Sequence, residues 1–392
     1  MQIQKNNCKN NRRPGIECLA FTFYSFYTEG FVRQLKEYNP EICILVFDFD
    51  KIQIYAQPPG FKSRYDIVPY WRPSCFSLSI VKPFVFLADM FITVKLLFYL
   101  CRHLRPQKVW VENTFAAVIF SIFKLSGWIG KIIYMSGDWL VNSNNNKNLI
   151  SFLGSNVFFP VCDYIACVSS ALVLNITENI SSARRKFWGK KITGREEMFA
   201  YSLEIKCASE KISDQKQTTM LFLGNIRPDS GLDIAIAALK QLREKHDFRL
   251  KIIGHIPPDY AHYRSLIAEN KLEKYIDFAG FIKTGQLTEI LQNCFCGLNI
   301  ITSRHSYSSV TLPGKIFHYL QFMLPVIATG GVGHMQEIIQ KHRLGIIIDP
   351  CGDSAAAAVL EIFRNQNQYR RNILEYIKTL PEVRYRDILE SV

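Results

Sequence analysis

The chain reads as an α/β protein built from two Rossmann-like domains whose parallel sheets face a cleft. Three observations carry this reading. Short apolar runs alternate with helical patterns along most of the sequence, each run of the second half ends at glycine or a polar loop, and 392 residues with 48% hydrophobic content suffice for two cores. Buried strands separated by helices imply parallel sheets covered on both faces, and ligands of such sheets bind where the strands end.

In the first half the expected strands are Glu17 to Phe21, Glu41 to Phe47, Lys108 to Val111, Lys131 to Met135 and Tyr164 to Val168. Helices are expected at Glu29 to Tyr38, Phe86 to His103 and Phe115 to Leu125. From Thr219 the runs MLFLG, RLKIIG, YIDFAG, CGLNII, PVIA and LGIII read as strands. Between the first two, Leu232, Ala235, Ile236, Leu239 and Leu242 recur at helical spacing, and another helix is expected from His262 to Asn270. The expected domains are 16–204 and 219–375. A flexible basic arm covers 1–15, a polar linker covers 205–218, and a final helix within 376–392 packs back on the first domain.

Charge is uneven, with 24 Lys and Arg against 14 Asp and Glu in the first 200 residues and 23 against 20 in the rest. A basic, aromatic-rich half suits an anionic membrane surface, or else is a solvated face; no nucleic-acid module is visible. The run Phe84 to Cys101 is interrupted by Asp89 and Lys95 and makes a poor membrane span. The arm MQIQKNNCKNNRRPG lacks the apolar core of a signal peptide, so a cytoplasmic protein, peripheral at the inner face of the cell membrane, is expected. Eleven cysteines without a CxxC pair read as reduced, mostly buried thiols, and no metal site is expected.

The segment Leu312 to Ala328, LPGKIFHYLQFMLPVIA, reads as a loop, a short amphipathic helix and a buried strand. With Ile316, Phe317, Leu320 and Leu324 inward, Lys315 and His318 share the other face. Pro313 and Gly314 precede a helix start whose backbone N–H groups and dipole suit a phosphate or pyrophosphate. The same residues also fit an ordinary helix with a solvated lysine. Asp48 and Asp50 form a DFD after an apolar strand, a pattern that also occurs at metal-binding pairs, but it follows only the second strand.

Taken together, LFLGNIRPDSGLDIAIAAL, LKIIGHIPP, IDFAGFI, CGLNII, PGKIFHYLQFMLPVIATGGVG and LGIIIDP resemble, in order and spacing, a GT-B glycosyltransferase of the family 4 group across Met220 to Pro350. The resemblance implies the GT-B architecture and a nucleotide-sugar donor held by backbone amides and basic side chains, with no metal and no cofactor. It places Gly224, Asn225, Arg227, Gly314 and Lys315 at the donor pyrophosphate, Phe281 and Ile282 beside the base, and His318 near the ribose. A neutral His318 can accept a hydrogen bond from a ribose hydroxyl; it also reads as a core histidine.

The chain departs from the family where Asn225 and Ser230 stand for the usual basic pair, and where Val310 and His318 stand for the two glutamates of retaining enzymes. KVWVENTFAAVIF and KIIYMSGDWLVNSN are similar to the membrane-associated glucuronosyltransferases of xanthan-type polysaccharide assembly. That likeness matches Asp138 to an acidic catalytic base, and one base suffices for an inverting transfer. Asp138 alternatively reads as a helix cap. Tyr24, Tyr27, Glu29 and Glu112 are the acceptor-side candidates. The implied activity is transfer of a hexosyl or glycuronosyl group from a nucleotide sugar to a saccharide, expected to be lipid-linked, in bacterial envelope polysaccharide synthesis. The alternative is a catalytically silent GT-B protein that binds a saccharide or a partner transferase.

Overall fold

The computed structural model describes residues 16–392 except 24–27, 39–41, 48–50, 57–66, 70–81, 142–148, 200–216, 225, 227–228, 245, 255–260, 281, 283–286, 303–309, 311–312, 332 and 381–383. The expected arm, most of the linker, the DFD pair and the candidates Tyr24, Tyr27, Asn225, Arg227 and Phe281 lie outside the described residues.

The first sheet is formed by β1 (Cys18–Phe23), β2 (Ile42–Phe47), β3 (Lys51–Ala56), β4 (Ile67–Pro69), β5 (Lys108–Val111), β6 (Lys131–Ser136), β7 (Leu172–Asn175) and β8 (Glu196–Met198). Its order is β4-β3-β2-β1-β5-β6-β7-β8, parallel except where β3 and β4 join antiparallel. The second sheet holds β9 (Thr219–Leu223), β10 (Arg249–Ile253), β11 (Ile276–Gly280), β12 (Cys296–Asn299), β13 (Val326–Thr329) and β14 (Gly345–Ile348). It is wholly parallel, in the order β11-β10-β9-β12-β13-β14.

The central strands are apolar along their whole length because helices cover both faces. On one face of the first sheet, helices Lys82–Leu104, Thr114–Leu125 and Phe159–Ser169 pack through Leu97, Leu100, Phe120 and Ala166 against Leu19, Phe21, Val109 and Ile132. On the other, helices Thr28–Tyr38 and Glu178–Trp188 cover Ala20, Ile44 and Ile133, and Trp139 joins that core. The second sheet is sandwiched in the same way, with Leu232–Arg243 and Gly352–Arg364 on one face and Gly314–Gln321, His334–His342 and Gln366–Thr379 on the other.

One expected strand is corrected. Tyr164 to Val168 is helical, part of Phe159–Ser169, and the strand follows it as Leu172–Asn175. Phe159, Cys162, Asp163, Ala166 and Cys167 are buried at helical spacing, a pattern that a five-residue apolar run viewed alone does not reveal.

The end of the chain returns to the first sheet. Helix Tyr385–Glu390 seats Tyr385 against Phe31 and Trp110, with ring centroids 4.7 and 5.8 Å away. Lys108 Nζ donates to the Leu389 carbonyl at 2.7 Å.

Candidate functional site

In a doubly wound sheet the crevice opens where neighbouring strands lead away to opposite sides. Those points are β1/β5 in the first sheet and β9/β12 in the second, by the strand orders above. Several of the residues singled out from the sequence stand at or beside them.

At the second switch point β9 runs into Gly224, whose φ of 123° belongs to the glycine region. Its N–H donates to the Ile253 carbonyl, holding the turn against β10. A side chain placed at Gly224 would meet the Lys315 aliphatic chain 3.9 Å away, so Lys315 lies over this turn. The Lys315 ammonium sits 5.5 Å from the centre of the Phe222 ring. Helix Gly314–Gln321, which carries Lys315, has no side-chain cap at its start. A cation, a glycine turn and an uncapped helix N-terminus therefore meet at one strand end, an arrangement suited to a phosphate group.

Tyr319 fixes that helix in place. Its hydroxyl accepts from the Leu223 N–H at 3.1 Å and donates to the Leu298 carbonyl at 3.0 Å, tying the helix to β9 and β12 together. The ring occupies the space a side chain at Gly297 would fill, with ring atoms 2.3 to 2.5 Å from the added carbon. Ile316, Phe317, Tyr319 and Leu320 are buried, while Lys315 and His318 are partly exposed. Burial pushes the His318 imidazole down to about 4, so the ring is neutral at neutral pH.

Asn299, the last residue of β12, carries a signal that sequence reasoning missed. It is fully buried, and neither its amide nitrogen nor its oxygen has a hydrogen-bond partner. Buried amides are ordinarily paired. Strand alternation puts it on the face of Gly297, toward the helix that bears Lys315. A buried polar residue inside the apolar CGLNII run was the available clue. Ile282 is half-buried and packs on the core beneath this helix, just past β11.

At the first switch point Glu112 follows β5 beside Thr22 of β1. Thr22 Oγ1 donates to Glu112 Oε2 at 2.5 Å and Trp110 Nε1 donates to Oε1 at 3.2 Å, so both oxygens are engaged. Thr22 is buried and committed to this carboxylate. Glu29 lies in the first turn of helix Thr28–Tyr38.

Asp138 stands one strand further on, exposed, just past β6. It is flanked by two buried anchors. Ser136 Oγ accepts from Arg184 Nη2 at 2.7 Å, and Trp139 packs edge-on against Phe159 and Phe187. Arg184, buried to 2% exposure, donates from Nε to Asp163 Oδ2 at 2.7 Å and from Nη1 to Asn175 Oδ1 at 2.8 Å. Asp163 in turn accepts from the Tyr134 hydroxyl, which meets Thr114 Oγ1. Burial opposes the charge on Arg184, but Asp163 outweighs it and the net shift is upward. The ends of β5, β6 and β7 are thus joined by one polar network, and the exposed carboxylate grows from its margin.

The two sheets meet at their strand ends. Thr177 Oγ1, just past β7, donates to the Val310 carbonyl at 2.7 Å, and the Val310 side chain packs on the first domain's core. Val310 precedes Lys315 by five residues, so this contact brings the first domain beside the segment that leads into the Lys315 helix.

Two parallel sheets with facing strand ends and a C-terminal helix returning to the first define the GT-B class. Solved structures agree along nearly the whole chain. HepE from Anabaena in complex with UDP and glucose superimposes with a TM-score of 0.65 at 14% identity, covering 96% of this chain and 100% of that one. Sucrose-phosphate synthase from Thermosynechococcus elongatus gives 0.67 at 13% identity, with 96% and 97% covered. WaaG, a glycosyltransferase involved in lipopolysaccharide biosynthesis, gives 0.63 at 15% identity, with 95% and 100% covered. A sequence search of curated proteins matches none. Residues 207–379 match the family model of glycosyl transferases group 1. The chain therefore has the GT-B fold, and its C-terminal domain, residues 207–379, resembles the group 1 glycosyl transferases.

Proposed function

We propose that the chain transfers a hexosyl or glycuronosyl group from a nucleotide-sugar donor to a saccharide acceptor carried on a lipid, in assembly of a bacterial envelope polysaccharide. The observation that carries this reading is the Lys315 side chain laid over the Gly224 turn at an uncapped helix start. Lys315, with Arg227, neutralises the pyrophosphate as it leaves, without a metal. Gly314 and Asn225 supply backbone contacts, Phe281 and Ile282 border the base, and neutral His318 accepts a hydrogen bond from the ribose. Asp138 deprotonates the acceptor hydroxyl, and Tyr24, Tyr27, Glu29 and Glu112 line the acceptor side.

An inverting course is favoured by Val310 and His318. The positions of the family's two donor-side glutamates hold an apolar side chain packed on the other domain and an uncharged ring. That leaves Asp138 as the exposed carboxylate beside the cleft among the site residues described. HepE's ligand makes UDP-glucose the first donor to try, and WaaG's role supports an envelope glycan acceptor at the inner face of the membrane.

A transfer and donor-hydrolysis assay with a panel of nucleotide sugars on membrane extracts tests this, with Lys315→Ala and Asp138→Asn beside the native chain. Both variants should lose turnover; full turnover in both refutes the assigned roles. The same departures at Val310 and His318 favour a second reading, a silent saccharide-binding protein. Under that reading no nucleotide raises the melting temperature of the purified chain.

A further inference from the structure

Among the described residues, every large apolar side chain that stands exposed lies between Met90 and Met198, and none belongs to the second domain. Most of them project from the helical layer that covers one face of the first sheet. On helix Lys82–Leu104 the positions 91, 95, 98 and 102 follow one helical face, and that face holds Phe91 at 68% and Phe98 at 40% exposure with Lys95 and Arg102 between and beyond them. Helix Thr114–Leu125 presents Ile122 and Leu125 in the same way, the latter 91% exposed. The continuous helical stretch from Leu149 to Ser169, with a π-helical turn at Gly154–Phe158, continues the surface, and its Phe158 stacks on Phe115 at 5.4 Å. The three elements pack side by side through Phe98, Phe123 and the common core.

Cations outnumber acids on this layer. Lys82, Lys95, Arg102 and Lys124 lie on its helices, whose two acidic residues are Asp89 and Asp163, the second fully buried against Arg184. No helix among the described residues is long and apolar enough to cross a membrane. An apolar helical surface fringed by cations enters the headgroup region of an anionic bilayer without spanning it.

We infer that this three-helix face is the protein's docking surface for an anionic lipid bilayer. A second copy of the chain would set Lys95 and Arg102 against their own kind, whereas anionic headgroups complement them. Position supports the same occupant. Phe115 follows Glu112 by three residues, and Leu149 follows Asp138 by eleven, so the face borders the proposed acceptor wall. A membrane lying there presents a lipid-linked saccharide to that wall directly. The inference rests on the membrane-side acceptor proposed above.

Flotation of the full chain with phosphatidylglycerol-containing vesicles and with neutral phosphatidylcholine vesicles tests it. The native chain should float with the anionic vesicles and at least tenfold less with the neutral ones. A Phe91→Ser/Ile122→Ser/Phe158→Ser variant should lose tenfold or more of that binding, and Lys95→Glu/Arg102→Glu should lose the preference for anionic lipid. Both variants alter exposed side chains, and an unchanged melting temperature and UDP-induced shift show that they remain folded. If the native chain floats and the triple variant floats equally, the face is wrong while membrane binding stands. If the native chain stays unbound to anionic vesicles, the membrane reading itself falls. A native dimer that the triple variant converts to monomer, with no flotation by either, assigns the face to a second copy instead.

Discussion

The strand ends of the first sheet and those of the second use their polar groups in opposite ways. Around β5, β6 and β7 the groups are paired with one another: Thr22 and Trp110 hold Glu112, and Arg184 gathers Asp163, Asn175 and Ser136. Around β9 and β12 the scaffold is held by Tyr319, and the buried amide of Asn299 has no partner. A wall whose polar groups satisfy each other is rigid before any ligand arrives. A wall with an orphan amide on the strand face toward the Lys315 helix has hydrogen-bonding capacity that a polar ligand can meet. On the function proposed above, the first wall would aim one carboxylate at the acceptor and the second would receive the donor's anion.

Asp138→Asn offers the sharpest break in this contrast. It should lower kcat by about 10²- to 10⁴-fold with little change in donor affinity, as expected for removal of a general base. Comparable loss of UDP affinity in a binding titration would show that the two walls do not divide the work. Asp163→Ala comes next. It strands Arg184 without its buried partner and should cost about 3–5 kcal/mol of stability in a denaturant melt. A melt unchanged within error would mean the network does not stiffen the acceptor wall.

Lys315→Ala should cost about 10²–10³ in kcat/KM and most of the UDP-induced rise in melting temperature, while leaving the unliganded melt near the native one. A large drop in unliganded stability would make the lysine a scaffold part, as Tyr319 is. The smallest effect concerns His318. Its folded value of about 4 lies below the ordinary 6.5, so the unfolded chain binds the proton first as pH falls. The stability it contributes is present above 6.5 and is lost as pH falls toward 4. Native stability should decline by about 1–2 kcal/mol more than that of His318→Gln between pH 7 and pH 5. Parallel declines would place the ring in solvent.

The fold was legible because its signals are local. Each strand of the second sheet ends where its apolar run meets a glycine or polar loop, and the helix at Lys315 shows its face through residue spacing alone. Asp163 was hidden by the same locality. Within YIACV and its surroundings nothing marks a helix whose acid reaches Arg184 twenty-one residues later. Tyr319 reads as one more apolar residue until its hydroxyl is seen bridging β9 and β12, and of the antiparallel pair β4 has only three residues while β3 interleaves Lys51 and Gln53 with its apolar side chains. Departures such as Val310 were visible as letters, but their contact with the first domain was not.

The returning helix Tyr385–Glu390 changes how the two walls can move. The chain passes from the first sheet to the second between Phe199 and Thr219, and back again between Leu380 and Tyr385. Two bodies joined by a single strand swivel freely, whereas two bodies joined at two places retain one easy rotation, about the line through both joints. The second crossing, pinned by Tyr385 against Phe31 and by Lys108 on the Leu389 carbonyl, therefore restricts how far the two domains can part or turn.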